Sequence, residues 1–368
     1  MVVLYALVTL VTCLQGSGHI NNNLTIFRYS SFHLLANQPL YAAYPGVYND
    51  LFLYHPSFSV LFMPFAFLPP VAALWVWTLF STAVFITAVW RLPGTGHTAK
   101  ALLLLLVLPE LANNQQYVQT NILLAALMLL AYTSFQKKQL FLAACFTVLA
   151  FCIKGYGGII GLLFLLYPGK KRFMGWALLW GLLISALPLC FVPPAAALNL
   201  YTAWLQLIGS DEIKEGLSII GIWGKTASAE RVLSIAGLLL LAATLVTAWR
   251  RPASLYRNSL LCSYLLVWVV LFNRTAESPT YLLAITGIAC WLFNGTPTRL
   301  KAIAAGLLLL LVYILPSDLF PAAAHQFFRQ YQLKVYPFIA CFLLLQYQSW
   351  NPEIARQLQT TKPLTNDK

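Results

Sequence analysis

Charge is what this sequence has least of. Of 368 residues, 23 are Lys or Arg and 10 are Asp or Glu, 9% in all. Soluble domains carry roughly 25% charged residues. So few charges cannot cover a water-facing surface, which excludes a soluble globular protein. Metal-ligand spacing is also missing. The seven cysteines form no CxxC pair and all lie in apolar runs, where they read as packing residues. The five histidines make no HExxH and no pair at i, i+4. No Walker loop, GxGxxG or GxSxG is present, so neither a metal nor a nucleotide cofactor is expected. Strand-like alternation is absent as well. The apolar runs are rich in Leu and Ala, which favours helices over a barrel.

What fills the chain instead is apolar sequence: 60% hydrophobic residues and a mean hydropathy of +0.74. The net charge of +13 could point to nucleic acid, but its distribution argues otherwise. Fifteen of the 23 basic residues sit in six short clusters, from Arg91/Lys100 to the tail residues Arg356, Lys362 and Lys368, with only Glu353 and Asp367 for acids. The other segments hold eight basic and eight acidic residues, and the two kinds of segment alternate. That is the positive-inside pattern of a multi-pass membrane protein. We therefore expect one membrane domain over 1–350, with outer loops 18–57 and 193–230, and a cytoplasmic polar tail over 351–368. Counting apolar runs gives about 12 transmembrane helices with both termini cytoplasmic. Several runs have only 13–16 residues, which suggests a bundle with cavities reaching to membrane depth. The fold class is an all-α polytopic membrane bundle. No inverted repeat is visible, which disfavours many secondary-transporter folds.

The longest polar stretch, His19 to Phe58, stands apart. It follows a first apolar segment of residues 1–17, is rich in Tyr, Asn and His, and holds the first acid, Asp50. A helix connector needs only a few residues, so this stretch reads as a structured, substrate-handling element on the outer face. The segment Ser57–Leu68, bounded by Pro56 and Pro69-Pro70, is too short for an ordinary span and reads as interfacial or re-entrant.

Ionisable residues at membrane depth are costly and mark function. Lys154, in AFCIKGYGG, can pair with a phosphate or simply snorkel. Gly155, Gly157 and Gly158 let another group approach it. Arg274 and Glu277, in NRTAESPTY, form either part of a site or a local surface ion pair. The amides Asn113 to Gln116, Gln119 and Asn121 suit sugar hydroxyls but also cap helices. Asp50, near Tyr48, Tyr54 and His55, reads as a general base or as the N-cap of a helix LFLYH. Glu110, Lys225 and Lys334 are further outer-side ionisable residues.

The order of these elements carries a resemblance. TIFRYSSFHLLANQPLYAAYP is followed by YNDLFLYHPSFSVLFMPFAFLPPVAALWVWTLF, then VQTNILLAAL, FCIKGYGGIIGLLFLL, GLSIIGIW and NRTAESPTY. Over residues 19–293 this resembles the glycosyltransferase family 87 membrane proteins, which have the C-type (GT-C) fold. The resemblance implies an enzyme of the bacterial inner membrane and cell envelope. It implies transfer of mannose or another hexose from a polyprenyl-phosphate donor to a glycan or glycolipid acceptor on the outer face. A carboxylate base would drive an inverting displacement, with no metal needed if Lys and Arg balance the phosphate. The family's Lys at a helix end corresponds to Lys154, with Arg274 and His55 as further donor-phosphate candidates. Asn23, Tyr54, Gln119 and Asn121 are the sugar and acceptor candidates. The family's early loop Asp corresponds to Asn23, an amide that cannot accept a proton, so the expected base moves to Asp50 and then Glu277. A flippase or transporter of lipid-linked sugars and an inactive family member remain the alternatives.

Overall fold

In a computed structural model the chain is all-α, with no strand among the described residues. These are residues 1–210, 216–316 and 320–351. Asp211, Glu212, Lys214 and Glu215 of the second outer loop lie outside them, as do Arg356, Lys362, Lys368 and nearly all of the 351–368 tail. The described residues form two compact units, one within Met1–Arg91, Leu111–Phe164 and Pro168–Glu212, the other within Leu92–Glu110, Leu165–Tyr167 and Ile213–Lys368.

The first unit opens with the helix Val2–Ser17. The chain then bends by 76° into the helix Asn22–Leu35. Asn21 makes the bend possible: its side chain accepts a hydrogen bond from Asn23 N at 2.8 Å and caps the second helix. The apolar side of that helix is organised by Phe27, which is 1% exposed. Its ring meets Tyr54 at 5.1 Å, Phe58 at 5.4 Å and Phe62 at 5.4 Å. Arg28, on the same helix, donates to the carbonyls of Ala66 and Leu68 at 3.2 and 3.0 Å. The segment after Pro56 is thus clamped against the helix as two short pieces, Pro56–Leu61 and Met63–Ala66. This agrees with its reading as too short for a span.

The rest of this unit is a bundle in which Pro70–Trp90, Asn121–Gln136, Leu140–Ile153 and Lys170–Ser185 pack in succession, with Val2–Ser17 against the first of them. A polar knot ties its apolar helices. Gln115, 3% exposed, donates to Thr9 Oγ1 and Thr82 Oγ1, each at 2.8 Å, and accepts from Thr12 Oγ1 at 2.8 Å. Within lipid such an amide is stabilising only when its polar atoms are matched, as here. In the second unit, Leu255–Leu271 packs on Tyr281–Leu292 and on Val335–Trp350. Gln346, on Val335–Trp350, accepts from Tyr264 OH of Leu255–Leu271 at 2.8 Å and donates to Thr244 Oγ1 of a further helix, Ala227–Arg250, at 2.7 Å.

Several expectations need correction. Asn113–Gln116 are the last turn of the helix His97–Gln116, so the expected amide-rich turn shrinks to residues 117–120. The apolar run after Lys154 is a 3₁₀ helix, Gly155–Leu166. The stretch 193–230 is largely helical: Pro194–Ser210, the short Ile219–Trp223 and the start of Ala227–Arg250. Pro194 at a first helical position and the following AAALNLYTAWL run explain the first of these. Among the described residues, three helices are each long and apolar enough to cross a membrane: Pro70–Trp90, Lys170–Cys190 and Ala227–Arg250. The bent first pair passes the same test together, and five further apolar helices have 10–17 residues. With the bent pair counted once these come to nine among the described residues, fewer than the expected count of about 12.

The alternation of basic clusters makes a testable topology. In a chain stripped of native cysteines, a cysteine at the exposed Val47 should react with a membrane-impermeant maleimide in intact cells, and one at the exposed Lys171 should not. External labelling at Lys171 would invert the assignment.

Candidate functional site

Asn23, Tyr54, Gln119, Asn121 and Lys154 of the first unit converge on the turn after residue 116. The helix Leu140–Ile153 ends because Lys154 is extended, at φ −143° and ψ 119°. Gly157 allows the tight corner that follows: a Cβ there would lie 2.6 Å from Ala150 O and 2.5 Å from Leu124 Cδ1. Of the three glycines after Lys154, this is the one pressed against backbone. The half-buried Lys154 points its ammonium at the start of the preceding helix, Asn121–Gln136, and donates to Asn121 Oδ1 at 2.9 Å. Asn121 is 1% exposed, and its Nδ2 donates to Asn114 Oδ1 at 3.1 Å. That second bond fixes which end of the Asn121 amide faces the lysine. The Tyr156 ring lies 6.0 Å from the ammonium.

Asn23 reaches the same turn from the first helix pair, its Nδ2 donating to Tyr117 O at 2.8 Å. Tyr54 OH lies 3.3 Å from Thr120 Oγ1. Gln119 contributes its backbone N–H to Asn114 O at 2.9 Å. The turn thus connects Asn23, Tyr54, Gln119, Asn121 and Lys154.

Asp50 stands one residue beyond a second junction. Asn49 N donates to Asn22 Oδ1 at 2.9 Å, and Asn22 Nδ2 donates back to Asn49 O. The residues that follow these partners are Asp50 and Asn23. Asp50 is exposed, holds φ at +85°, and accepts from Leu51 N at 2.8 Å. The expected helix LFLYH is not formed: 51–55 are irregular, and the helix begins at Pro56 with His55 as its cap. Asp50 therefore closes a local loop rather than capping a helix.

His55 is 5% exposed, and its Nδ1 accepts from Ser57 N at 3.3 Å. Its ring is packed by Trp204 at 4.9 Å and Tyr201 at 5.3 Å. Burial pulls its pKa down to about 4, so the ring is neutral at pH 7 and carries its proton on Nε2. At a phosphate it would offer a hydrogen bond, not a charge.

In the second unit, Arg274 and Glu277 are not each other's partners. Arg274 Nε pairs with Glu230 Oε1 at 2.5 Å. Glu277 is exposed, and its backbone N–H donates to Thr280 Oγ1 at 3.2 Å. The sequence spacing of three residues suggested a pair, but the chain between them is a turn fixed to another segment. Leu217 N donates to Ala276 O at 2.7 Å, and Tyr281 OH donates to Leu217 O at 2.7 Å. An ion pair that sequence reasoning missed lies nearby. Lys334 Nζ is 2.6 Å from Glu110 Oε1 and 3.0 Å from Ser278 Oγ, 5.1 Å from the Tyr281 ring centre. A carboxylate after Pro109 in an apolar helix was the signal; its partner, more than two hundred residues on, could not be read.

Against known proteins, the sequence model of glycosyltransferase family 87 matches residues 52–279, more than half of the chain. Tyr54, His55, Gln119, Asn121, Lys154, Arg274 and Glu277 fall inside the match; Asn23 and Asp50 precede it. No curated protein matches the chain.

The buried His55 has a pH consequence. The unfolded imidazole, with pKa 6.5, protonates before the folded one, at about 4. Stability is therefore complete above pH 6.5 and declines as pH falls toward 4. His55→Asn keeps a capping oxygen but cannot titrate. Thermal melts in detergent from pH 7 to pH 4 should show a shallower loss for this variant than for wild type.

Proposed function

Because the chain belongs to glycosyltransferase family 87, we propose that it transfers a hexose, such as mannose, from a polyprenyl-phosphate donor to a glycan or glycolipid acceptor at the outer face of the bacterial inner membrane. It is a membrane glycosyltransferase; the donor, acceptor and chemistry are the reading advanced here. One observation carries it: an ammonium at a membrane-helix end, bound to a buried amide, on the same turn that receives the polar outer segment.

A polyprenyl-phosphate donor keeps its tail in the bilayer and its sugar at the water boundary. Lys154 suits the phosphate there. Its ammonium donates to a neutral amide, Asn121 Oδ1, at 2.9 Å, and a bound phosphate would take a stronger, charge-assisted bond from it. In the proposed step an acceptor hydroxyl oxygen attacks the anomeric carbon. The bond to the phosphate oxygen breaks, and its electron pair leaves with the polyprenyl phosphate. The hydroxyl proton passes to Asp50. Lys154 stabilises the charge gathering on the phosphate, and a single displacement inverts the anomeric centre. Tyr54, Gln119 and Asn121 are assigned to sugar contacts. Asn23 belongs to the same group, with its amide N–H₂ committed to Tyr117 O. His55 offers the phosphate an Nε2–H. Arg274 and Glu277, on the second unit, are assigned to substrate binding.

Transfer of labelled sugar from polyprenyl phosphate by purified variants tests this. Lys154→Ala should weaken donor binding roughly ten- to a hundredfold, the equivalent of a charge-assisted bond worth about 1.5–3 kcal/mol, in a protein that still inserts. Unchanged donor affinity would leave Lys154 a snorkelling residue.

Asp50→Asn should lower turnover by about 10²–10⁴-fold, the usual contribution of a general base, with little change in donor affinity. Glu277→Gln should affect binding more than turnover. The reverse pattern would move the base to Glu277. A wild type that transfers from no lipid-linked donor would favour a flippase or an inactive family member.

A further inference from the structure

The first outer segment contains a second feature that the transfer step does not use. Tyr29 and His33 are four residues apart on the helix Asn22–Leu35 and share a face. Tyr44 and Tyr48 are also four apart, in a turn closed by Tyr48 N donating to Tyr44 O at 3.0 Å. The two pairs meet. Tyr44 stacks on His33 with ring centres 3.9 Å apart and planes 29° apart. Tyr48 lies 6.2 Å from His33 and 5.8 Å from Tyr44, and Tyr29 lies 5.8 Å from His33 and 6.3 Å from Tyr48. Four rings thus form one box.

Two polar atoms inside it have no hydrogen-bond partner: His33 Nδ1 and Tyr48 OH. Their residues are 5% and 4% exposed. Buried polar atoms are almost always paired, and an orphan costs stability, so two in touching residues call for an explanation. The cover over them is slight. Tyr44 is half-buried, its neighbours Ala43 and Pro45 are exposed, and no regular helix lies between Leu35 and Pro56. Its hydroxyl is held by Pro39 O at 2.8 Å.

We propose that Tyr29, His33, Tyr44 and Tyr48 form a saccharide subsite that takes one pyranose ring of the acceptor glycan. A pyranose has a C–H face that packs on aromatic rings, and hydroxyls that both donate and accept. It therefore satisfies either tautomer of His33 and the phenol of Tyr48 while replacing the Tyr44 stack. A quaternary ammonium would suit the rings but leave both polar atoms unpaired. So would a lipid chain. Burial lowers the His33 pKa, which keeps the ring uncharged and suited to a neutral ligand. The assignment rests on the reading of the outer segment as acceptor-handling, but not on the identity of the donor.

Saturation-transfer NMR of the purified full chain in detergent, with methyl α-mannoside and methyl α-glucoside as probes and choline as control, tests the site. Wild type should show saturable contact with at least one glycoside and none with choline. Tyr48→Phe removes one orphan hydroxyl and nothing else. It should raise the melting temperature by roughly 2 °C while weakening sugar binding by about tenfold. His33→Phe, which keeps a ring, should lose binding in the same way. Lys154→Ala should leave glycoside binding intact, and added polyprenyl phosphate should not displace the sugar. If glycoside binding survives these controls while no polyprenyl-phosphate donor supports transfer, the subsite stands and the donor reading falls. Binding of neither glycoside, unchanged binding by Tyr48→Phe, or equal saturation by choline would overturn the proposal. A lower melting temperature in Tyr48→Phe would also overturn it, because the hydroxyl would then already be paired by a buried water.

Discussion

An ammonium group brought to the end of an apolar helix must be met by oxygen, and the choice of that oxygen governs what the lysine can still do. Lys154 is met by an amide, Asn121, at 2.9 Å. A carboxylate there would form a closed ion pair and cancel the charge. The amide satisfies a hydrogen bond and brings no opposing charge of its own. Its orientation is not left to chance, since Asn114, wholly buried, accepts from its other end. The Glu110–Lys334 pair in the second unit is the opposite solution. There the ammonium faces a carboxylate at 2.6 Å and a serine hydroxyl, and it anchors the loop that carries Ser278. Two lysines near apolar helices thus meet acceptors of different charge, an amide for Lys154 and a carboxylate for Lys334.

Much of this was legible in the sequence because it follows from bulk physical chemistry. Scarce charge, Leu/Ala-rich runs and alternating basic clusters point to a helical membrane protein. A polar stretch of about 40 residues between apolar runs marked the segment that carries Asn23, Asp50, Tyr54 and His55. Lys154 stood out because a lone cation beside three glycines at the end of an apolar run is costly to place. What could not be read was pairing. The amides 113–116 look like a loop by polarity, yet they complete a helix whose Gln115 is matched by threonines from two other helices. The Pro194–Ser210 helix was hidden by its place among polar neighbours. Arg274 stands three residues from Glu277 but pairs with Glu230, because tertiary fixation of the turn overrides proximity along the chain.

The amide at position 23 is the sharpest departure from the resemblance, and the structure gives it a physical reason. Asn23 Nδ2 donates to the carbonyl of Tyr117, a bond an ionised carboxylate cannot make. The bond holds the first helix pair to the turn that leads to Asn121 and Lys154. A residue used as such a strut is poorly suited to take up a proton, so the two tasks separate. One residue past the neighbouring Asn22–Asn49 junction, Asp50 sits in the left-handed region at φ +85°. Asp tolerates that conformation better than most residues, yet a cost of order 1–3 kcal/mol remains. Such strain persists only where the surroundings over-determine the backbone, and the paired bonds between Asn22 and Asn49 do so here. The junction joins Asn22 to Asn49, so Asn23 and Asp50 each stand one residue along the chain from it, and the proposal that Asp50 takes over the base role starts from that placement.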